Sequence, residues 1–181
     1  RQLQRQMQPA AAATPGAEPR NAALRAADAT PSAAGDVART FVGRMWDHAL
    51  AASRATGLPA KFIVGQAALE TGWGSAPIRR NDGSSANNFF GIKADAGWRG
   101  ERVLSTTREF ANGRMFTRRE AFRGYDSVAE GVTDFASFLR SNPRYQSALA
   151  AGTDAQLFVK RLAAAGYATD PAYAEKLAGL L

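Results

Sequence analysis

A single carboxylate, Glu70, closes an apolar run and is followed at once by Gly72 and Trp73. Helical periodicity over residues 60–69 places Glu70 in the last turn of a helix, and Gly72 is a natural stop because glycine takes a positive φ without penalty. The carbonyl end of the helix dipole and the apolar neighbours both disfavour the ionised form, so we expect a raised pKa for Glu70. A general acid working near neutral pH needs such a carboxyl group. The plainer alternative is a solvated glutamate at a frayed helix end.

Two neighbours of Glu70 could support acid chemistry. Gln66 lies one helical turn back on the same face and could hydrogen-bond the carboxyl group. Trp73 offers a flat apolar face on which a sugar ring could stack, and it could equally be a core residue. Both interpretations of Trp73 stay open at this point.

A second carboxylate is available on a predicted β-hairpin. Strand-like runs over residues 102–110 and 114–122 flank Asn112 and Gly113, a strong hairpin turn signal. Glycoside hydrolysis usually takes two carboxyl groups, one to protonate the leaving oxygen and one as base or nucleophile. A two-residue turn would pair Glu109 with Phe116, near the tip. The hairpin glutamates are Glu101, Glu109 and Glu120. For each of them the plainer alternative is a solvated surface charge.

The first part of the chain is predicted to hold a tail and then a helix. Residues 1–35 are rich in Ala, Gln, Pro and Arg and bury too little apolar surface to fold alone, so we expect a flexible linker or tail. Asp36 is expected to cap a helix that runs to about residue 55. Its apolar residues recur at helical spacing: Val37, Phe41, Met45, Ala49 and Ala52.

The region after Glu70 is predicted to be loop, hairpin and then helices. Residues 75–100 are turn-rich and are expected to be mostly loop. Ser127 and Glu130 match a capping box. Helical patterns cover residues 127–140, 145–149, 155–165 and 172–181. The sequence thus predicts a helical body with one inserted β-hairpin, which could form the opposite wall of a cleft.

Composition limits the possible functions. The chain has 181 residues and a formal net charge of +7, which favours anionic partners such as nucleic acid, an acidic membrane surface or a cell-wall polymer. The basic residues are scattered without a nucleic-acid-binding motif, so nucleic acid is not expected as a partner. No apolar run is long enough to span a bilayer, and the N-terminus lacks a signal-peptide apolar region.

Cysteine and histidine counts exclude several kinds of site. The chain has no cysteine, so disulfides and cysteine-ligated metals are excluded. The single histidine, His48, rules out a histidine-cluster metal site, argues against a Ser-His-Asp triad and is expected to be an ordinary helix residue. We expect neither a metal nor another cofactor.

Five segments in order resemble one enzyme family. Residues 67–74, with Glu70 at their centre, resemble the catalytic-helix signature of the bacterial cell-wall glucosaminidases, glycoside hydrolase family 73. Residues 88–93 match that family's Asn-x-Phe-Gly-Ile-Lys segment. Further similar segments are residues 122–127, 142–145 and 166–171, so the resemblance covers about 37–181. The hairpin over residues 106–113 is similar to the flagellar members of the family in particular.

The resemblance implies a fold, an activity and a set of site residues. The fold would be α+β and lysozyme-like, with a mainly helical lobe, a small β-hairpin lobe and a glycan cleft between them. The activity would be hydrolysis of the β-1,4 bond between N-acetylglucosamine and N-acetylmuramic acid in peptidoglycan. Glu70 corresponds to the family's general acid, Glu109 to its proposed second carboxylate and Tyr167 to a tyrosine thought to assist near the cleaved sugar. The candidate substrate-binding residues are Trp73, Asn88, Lys93 and Tyr125.

Each of these residues also has a plainer interpretation. Asn88 could fix a turn, Lys93 could be a solvated cation, and Tyr125 and Tyr167 could simply pack helices. Phe90 and Ile92 are expected in the core. The group that attacks the anomeric carbon is open as well. Glu109 could activate water or attack directly, or the substrate's own acetamido group could attack.

The flagellar members of the family join a rod-assembly domain to the hydrolase. The resemblance then makes residues 1–35 an inter-domain linker and residues 36–181 the hydrolase domain. It implies peptidoglycan and, through an upstream domain, flagellar rod proteins as partners. Export by the flagellar apparatus into the periplasm, without a cleaved signal peptide, would follow, and the chain would open the wall locally for the rod. Since the chain starts at Arg1 rather than Met, we expect a fragment of a longer protein.

Three alternatives from other function classes remain. One is a muramidase that cleaves the alternate β-1,4 bond with the same acid chemistry. Another is a non-catalytic module that binds glycan or scaffolds the rod. Nucleic-acid binding is the weakest, since only the basic pI of about 10.4 suggests it.

Overall fold

A computed structural model describes residues 31–111, 114–167 and 172–180, with side chains described except at residues 31–32 and 107–116. The elements in chain order are α1 (Pro31–Thr56), α2 (Ala60–Thr71), β1 (Arg102–Ala111), β2 (Arg114–Arg123), α3 (Val128–Ser141), a 3₁₀ turn (Pro143–Tyr145), α4 (Gln146–Leu149), α5 (Ala155–Ala164) and α6 (Tyr173–Ala178). This order confirms a helical body with one inserted hairpin.

Helix α1 begins earlier than expected. It starts at Pro31, so the predicted cap at Asp36 is wrong and the boundary drawn at residues 35–36 falls inside a helix. Proline suits a first helical position and the alanines that follow favour helix, so nothing in the sequence delays the start. Asp36 instead lies within α1, where one carboxylate oxygen is 3.5 Å from Nη1 of Arg39.

The apolar stripe of α1 also begins later than expected. Val37 is 50% exposed, which contradicts its predicted place on the core-facing side. The reason is that tertiary packing covers α1 only from Phe41 onward. The remaining predicted stripe residues, Phe41, Met45, Ala49 and Ala52, are buried.

Helix α2 lies at the centre of the helical body. Nine of its 12 residues are buried, so it is covered on nearly every side. Phe62 packs against Phe158 and Phe135, with ring centroids 4.5 and 6.0 Å away. The helix ends where the sequence predicted: Gly72 has φ 55° and ψ 56°, and its N–H bonds the carbonyl of Ala68.

The hairpin has the predicted register. Strands β1 and β2 are antiparallel, with Ala111 opposite Arg114 and Glu109 opposite Phe116. The predicted turn residues, 112 and 113, lie outside the described residues. At the other end of the hairpin, Val103 and Phe122 form a small second core with Ile78 and Ala86. The base of the hairpin is therefore fixed to the loop that follows α2.

The C-terminal helices agree with the sequence apart from their ends. Ser127 caps α3 by accepting from the N–H of Glu130, which confirms that half of the capping box. The Glu130 carboxylate accepts from the N–H of Asp126 at 2.9 Å, one residue before the expected partner. Helix α6 covers only Tyr173–Ala178 of the predicted 172–181.

Candidate active site

Glu70 lies at a narrow concavity between the helical body and the base of the hairpin. It is half-buried at the end of α2. The concavity is open to solvent and is lined by Glu70, Thr71, Ala76, Ile78, Asn88, Phe89, Gly91 and Phe122. Glu70 is therefore half-buried beside a small concavity, and its role as the acid stays a prediction.

A buried hydrogen-bond network holds one side of the Glu70 carboxyl group. Nε2 of Gln66 donates to Oε1 of Glu70 at 3.0 Å, which confirms the predicted contact one turn back along α2. The same nitrogen is 3.3 Å from the hydroxyl oxygen of Tyr167. The hydroxyl of Tyr173, on α6, donates to Oε1 of Gln66 at 2.6 Å. Sequence reasoning missed Tyr173, although a buried glutamine in an apolar helix signals that polar partners must exist.

Both tyrosines in this network stay neutral far above neutral pH. Burial raises the pKa of Tyr167 well above 10, and the charge of Glu70 acts in the same direction. The pKa of Tyr173 is raised well above 10 by burial and then by the charge of Glu70. Tyr167, a predicted catalytic residue, is only 2% exposed and contacts Gln66. In this structure its hydroxyl therefore reaches Glu70 through the Gln66 amide.

The other oxygen of Glu70 lies beside the loop that contains Gly91. A Cβ added to Gly91 would lie 3.8 Å from Oε2 of Glu70. Gly91 has φ 64°, a conformation that glycine tolerates best. Sequence reasoning did not assign a role to this glycine, and its place within the Phe-Gly-Ile run was the available signal.

Asn88 fixes that loop. Its Nδ2 donates to the carbonyls of Ile92 and Arg123, both at 2.9 Å. Its Oδ1 accepts from the N–H groups of Ile92 at 3.1 Å and Phe90 at 3.4 Å. Asn88 is 3% exposed, and these contacts correspond to the turn-fixing interpretation, while its contact with glycan stays a prediction. Phe90 and Ile92 are buried as expected.

The remaining predicted substrate contacts lie outside the concavity lining. Trp73 is half-buried with φ 57°, and its ring meets that of Phe41 edge-on at 6.0 Å, so it packs against the core. Nζ of Lys93 is 3.7 Å from a carboxylate oxygen of Glu120. These two side chains are partly exposed.

Tyr125 serves the packing of the hairpin base. It is 4% exposed, and its hydroxyl donates to Oδ2 of Asp134 at 2.6 Å. Burial and then the Asp134 hydrogen bond raise its pKa. The contacts of Tyr125 correspond to the packing interpretation, because the hydroxyl is bonded within the fold.

The hairpin glutamates differ in their surroundings. Nε of Arg80 donates to both carboxylate oxygens of Glu101 at 2.9 Å. Glu120 is the partner of Lys93 described above. For Glu109 the described feature is its backbone position opposite Phe116, because its side chain is outside the described part. The role of Glu109 as the second carboxylate therefore stays a prediction.

Comparison with known proteins identifies the family. The sequence profile of the glucosaminidase family, described as mannosyl-glycoprotein endo-beta-N-acetylglucosaminidase, matches residues 46–181. This chain belongs to the glucosaminidase family. It is 43% identical over 138 residues to the peptidoglycan hydrolase FlgJ of Pseudomonas aeruginosa, covering 76% of this chain and 34% of that protein. The chain spans between 34% and 46% of the length of the first curated relatives it matches.

Solved structures of similar hydrolases share the fold. A C-terminally truncated glycoside hydrolase domain of FlgJ from Salmonella typhimurium superposes with a TM-score of 0.69 at 40% identity, covering 79% of this chain and 94% of that one. A mutant peptidoglycan hydrolase from Sphingomonas sp. A1 gives a TM-score of 0.71 at 45% identity, covering 78% and 90%. These similarities confirm the expected lysozyme-like α+β fold.

Two further observations concern only the described residues of this chain. Among them, no group of three or more His, Cys, Asp and Glu side chains is arranged to hold a metal ion. Within the same part of the chain, every helix is too short or too polar to cross a membrane.

Proposed function

We propose that this chain hydrolyses the β-1,4 bond between N-acetylglucosamine and N-acetylmuramic acid in peptidoglycan, with Glu70 as the general acid. The observation that carries the proposal is the setting of Glu70 at the concavity, with one oxygen held by Gln66 and the other beside Gly91. Family membership and the relatives named peptidoglycan hydrolase support the same substrate class.

The proposed reaction begins with proton transfer from Glu70. As the bond between the anomeric carbon and the bridging oxygen breaks, the electron pair stays on that oxygen, which takes the proton of Glu70. A water molecule adds its hydroxide to the anomeric carbon and passes its proton to Glu109, the proposed base on the hairpin. Solvent then returns one proton to Glu70 and removes one from Glu109, so the enzyme is restored.

Replacing Glu70 by Gln tests the proposed role of Glu70 as the general acid. The variant keeps the size and an oxygen acceptor for Gln66 but has no proton to give, so we expect the release of reducing ends from purified sacculi to fall about 10²–10⁴-fold. Glu175→Gln is the matched control, because Glu175 is exposed on α6 and lies outside the concavity lining. Unchanged wall hydrolysis by a folded Glu70→Gln protein would refute the proposal. Sacculus binding by the wild type without release of reducing ends would point to a non-catalytic glycan-binding module.

Product analysis decides between the remaining chemical alternatives. Mass spectrometry of the released fragments should find N-acetylglucosamine at the new reducing end, whereas N-acetylmuramic acid there would indicate a muramidase. Inversion at the anomeric carbon is expected if Glu109 activates water. Retention would indicate direct attack by Glu109 or by the substrate's acetamido group.

We further propose that the protein acts in the periplasm, is exported there by the flagellar apparatus and opens the wall locally for the flagellar rod. The relatives named FlgJ support this role, and the net charge of +7 favours an anionic wall polymer. Rod proteins would be partners through another part of a longer chain. Deleting the gene should abolish swimming, and complementation with the Glu70→Gln form should fail while the Glu175→Gln form succeeds. Equal rescue by both forms would contradict this role.

A further inference from the structure

Gln66 is a fully buried polar side chain in the largely buried helix α2. It is 0% exposed and lies among buried residues of α2 such as Ile63 and Ala67. A buried amide is tolerated when its hydrogen bonds are made, whereas an apolar side chain of similar size would need none. Gln66 makes three, to Glu70, Tyr167 and Tyr173. Its position is therefore set by polar contacts rather than by packing alone.

The amide of Gln66 has its oxygen toward Tyr173 and its nitrogen toward Glu70. The hydroxyl of Tyr173 donates to the carbonyl oxygen of Gln66 at 2.6 Å, so the NH₂ group points the other way, toward Glu70 and Tyr167. An amide N–H can only donate. Oε1 of Glu70 is consequently an acceptor, and the proton of the neutral acid belongs on Oε2. Oε2 is the oxygen beside Gly91, a residue of the concavity lining.

We propose that Gln66 and Tyr173 are positioning residues that hold the acidic proton of Glu70 on Oε2, where it faces the concavity. This inference rests on the proposed role of Glu70. The ionisable groups around the amide are Glu70 on α2, Tyr173 on α6, Tyr167 after α5, and Tyr145 in the 3₁₀ turn. Burial keeps the hydroxyls of Tyr167 and Tyr173 neutral, so Tyr173 retains the proton that it donates to Gln66.

Tyr173→Phe removes the fixing hydroxyl and keeps the ring, whose centroid is 5.6 Å from that of Tyr167. Once the hydroxyl is gone, the Gln66 amide can turn its carbonyl toward Glu70. We expect kcat on sacculi or muroglycan chains to fall about 10-fold with little change in KM. A fall of this size is typical when a residue that orients a metal-binding side chain is replaced, and Tyr173 would orient Gln66 in a similar way. The basic limb of the pH–kcat profile should move to higher pH, since loss of an N–H donor favours the neutral acid.

Tyr145→Phe is the matched control. Tyr145 is fully buried in the same cluster, 5.7 Å from the Tyr167 ring, and its hydroxyl has no hydrogen-bond partner among the described residues. Its replacement should leave both kcat and the basic limb unchanged. The comparison separates loss of the hydrogen bond from loss of a buried hydroxyl in general.

A second variant keeps the test decisive if Tyr173→Phe folds poorly. Gln66→Glu preserves the shape and the acceptor for Tyr173 but places a second carboxyl group within hydrogen-bond distance of Glu70. The two groups would share a proton, so we expect a lower kcat and a basic limb at higher pH.

Wild-type kcat and basic limb in a folded Tyr173→Phe or Gln66→Glu protein would overturn the inference. A fall in melting temperature alone would also overturn it, because that result makes Tyr173 merely structural. These outcomes are distinct from failure of the proposed function, which would be an active Glu70→Gln variant.

Discussion

The contacts of Asn88 predict that replacing it with Ala destabilises the protein before it affects glycan binding. Nδ2 of Asn88 donates to the carbonyl of Ile92, in the loop around Gly91, and to the carbonyl of Arg123, at the end of β2. Oδ1 of Asn88 accepts from two N–H groups of the same loop. Because Asn88 is 3% exposed, water cannot readily replace these bonds. Asn88 is therefore the residue whose two proposed roles differ most clearly in their consequences.

The size of the effect follows from the hydrogen bonds. Three of the contacts lie between 2.9 and 3.1 Å. Leaving a buried polar group without a partner costs about 1–3 kcal/mol, so we expect a loss of roughly 3–5 kcal/mol in the free energy of unfolding. For a chain of this length, that corresponds to a fall of roughly 6–20 °C in melting temperature.

Urea unfolding followed by circular dichroism measures this loss of stability. KM on sacculi is measured at a temperature below the melting transition of the variant. Asn81→Ala is the control, since Asn81 is an exposed residue of the same type, and a surface change should stay within about 0.5 kcal/mol. The reasoning is refuted if Asn88→Ala unfolds like the wild type and only its KM rises. In that case the amide contacts glycan and does not fix the loop.

Three further predictions follow from single residues. Gly91→Ala should lower the free energy of unfolding by about 1–2 kcal/mol because of its positive φ, and it should also lower kcat because the new methyl group would lie 3.8 Å from Oε2 of Glu70. Gly83→Ala is its control, having φ 85° and open space around it, so a kcat loss equal to that of Gly91→Ala would contradict the proximity argument. Tyr125 stays neutral in the folded protein, whereas in the unfolded chain it ionises near pH 10.0. Its contribution to the free energy of unfolding is therefore complete below that pH and is lost as the pH rises above it. Tyr125→Phe should therefore be less stable than the wild type at pH 7. Between pH 9 and 11 the free energy of unfolding of the variant should fall less steeply than that of the wild type, by up to about 1.4 kcal/mol per pH unit. Equal slopes for the two proteins would show that Tyr125 is not the cause of the pH dependence. Phe90→Ala should cost about 3–5 kcal/mol in urea unfolding, because its ring stacks on Phe135 at 3.9 Å, and a loss below about 1 kcal/mol would contradict that packing.

Some expectations concern the Glu70 carboxyl group itself. The contact with Gln66 could be read from the sequence because residues four apart share a helix face, and the structure has it at 3.0 Å. The raised pKa of Glu70 stays a prediction, which the basic limb of the pH–kcat profile would measure. The roles of Glu109 and Tyr167 also stay predictions, with Tyr167 now placed behind Gln66.

Local signals were sufficient where the chain decides its own conformation within a few residues. Gly72 ended α2, Asn112-Gly113 predicted the register of the hairpin, and Ser127 capped α3. The predicted start of α1 was wrong because Asp36 is compatible with a cap and with a helix interior, and because Pro31 and the alanines after it can also begin a helix. The prediction that Val37 is buried was wrong because burial along α1 depends on which parts of the helix other elements cover.

The sequence by itself determined the helix that carries Glu70 in its last turn, the hairpin and the order of family motifs, since each depends on backbone preferences and side-chain spacing over short stretches. Only the tertiary structure decided what surrounds the acid. Tyr173 reaches Gln66 across 107 residues of sequence, and the Asn88 amide meets Arg123 across 35. Such contacts depend on how helices and loops pack together, and no periodicity along the chain encodes which polar groups packing will bring within 3 Å.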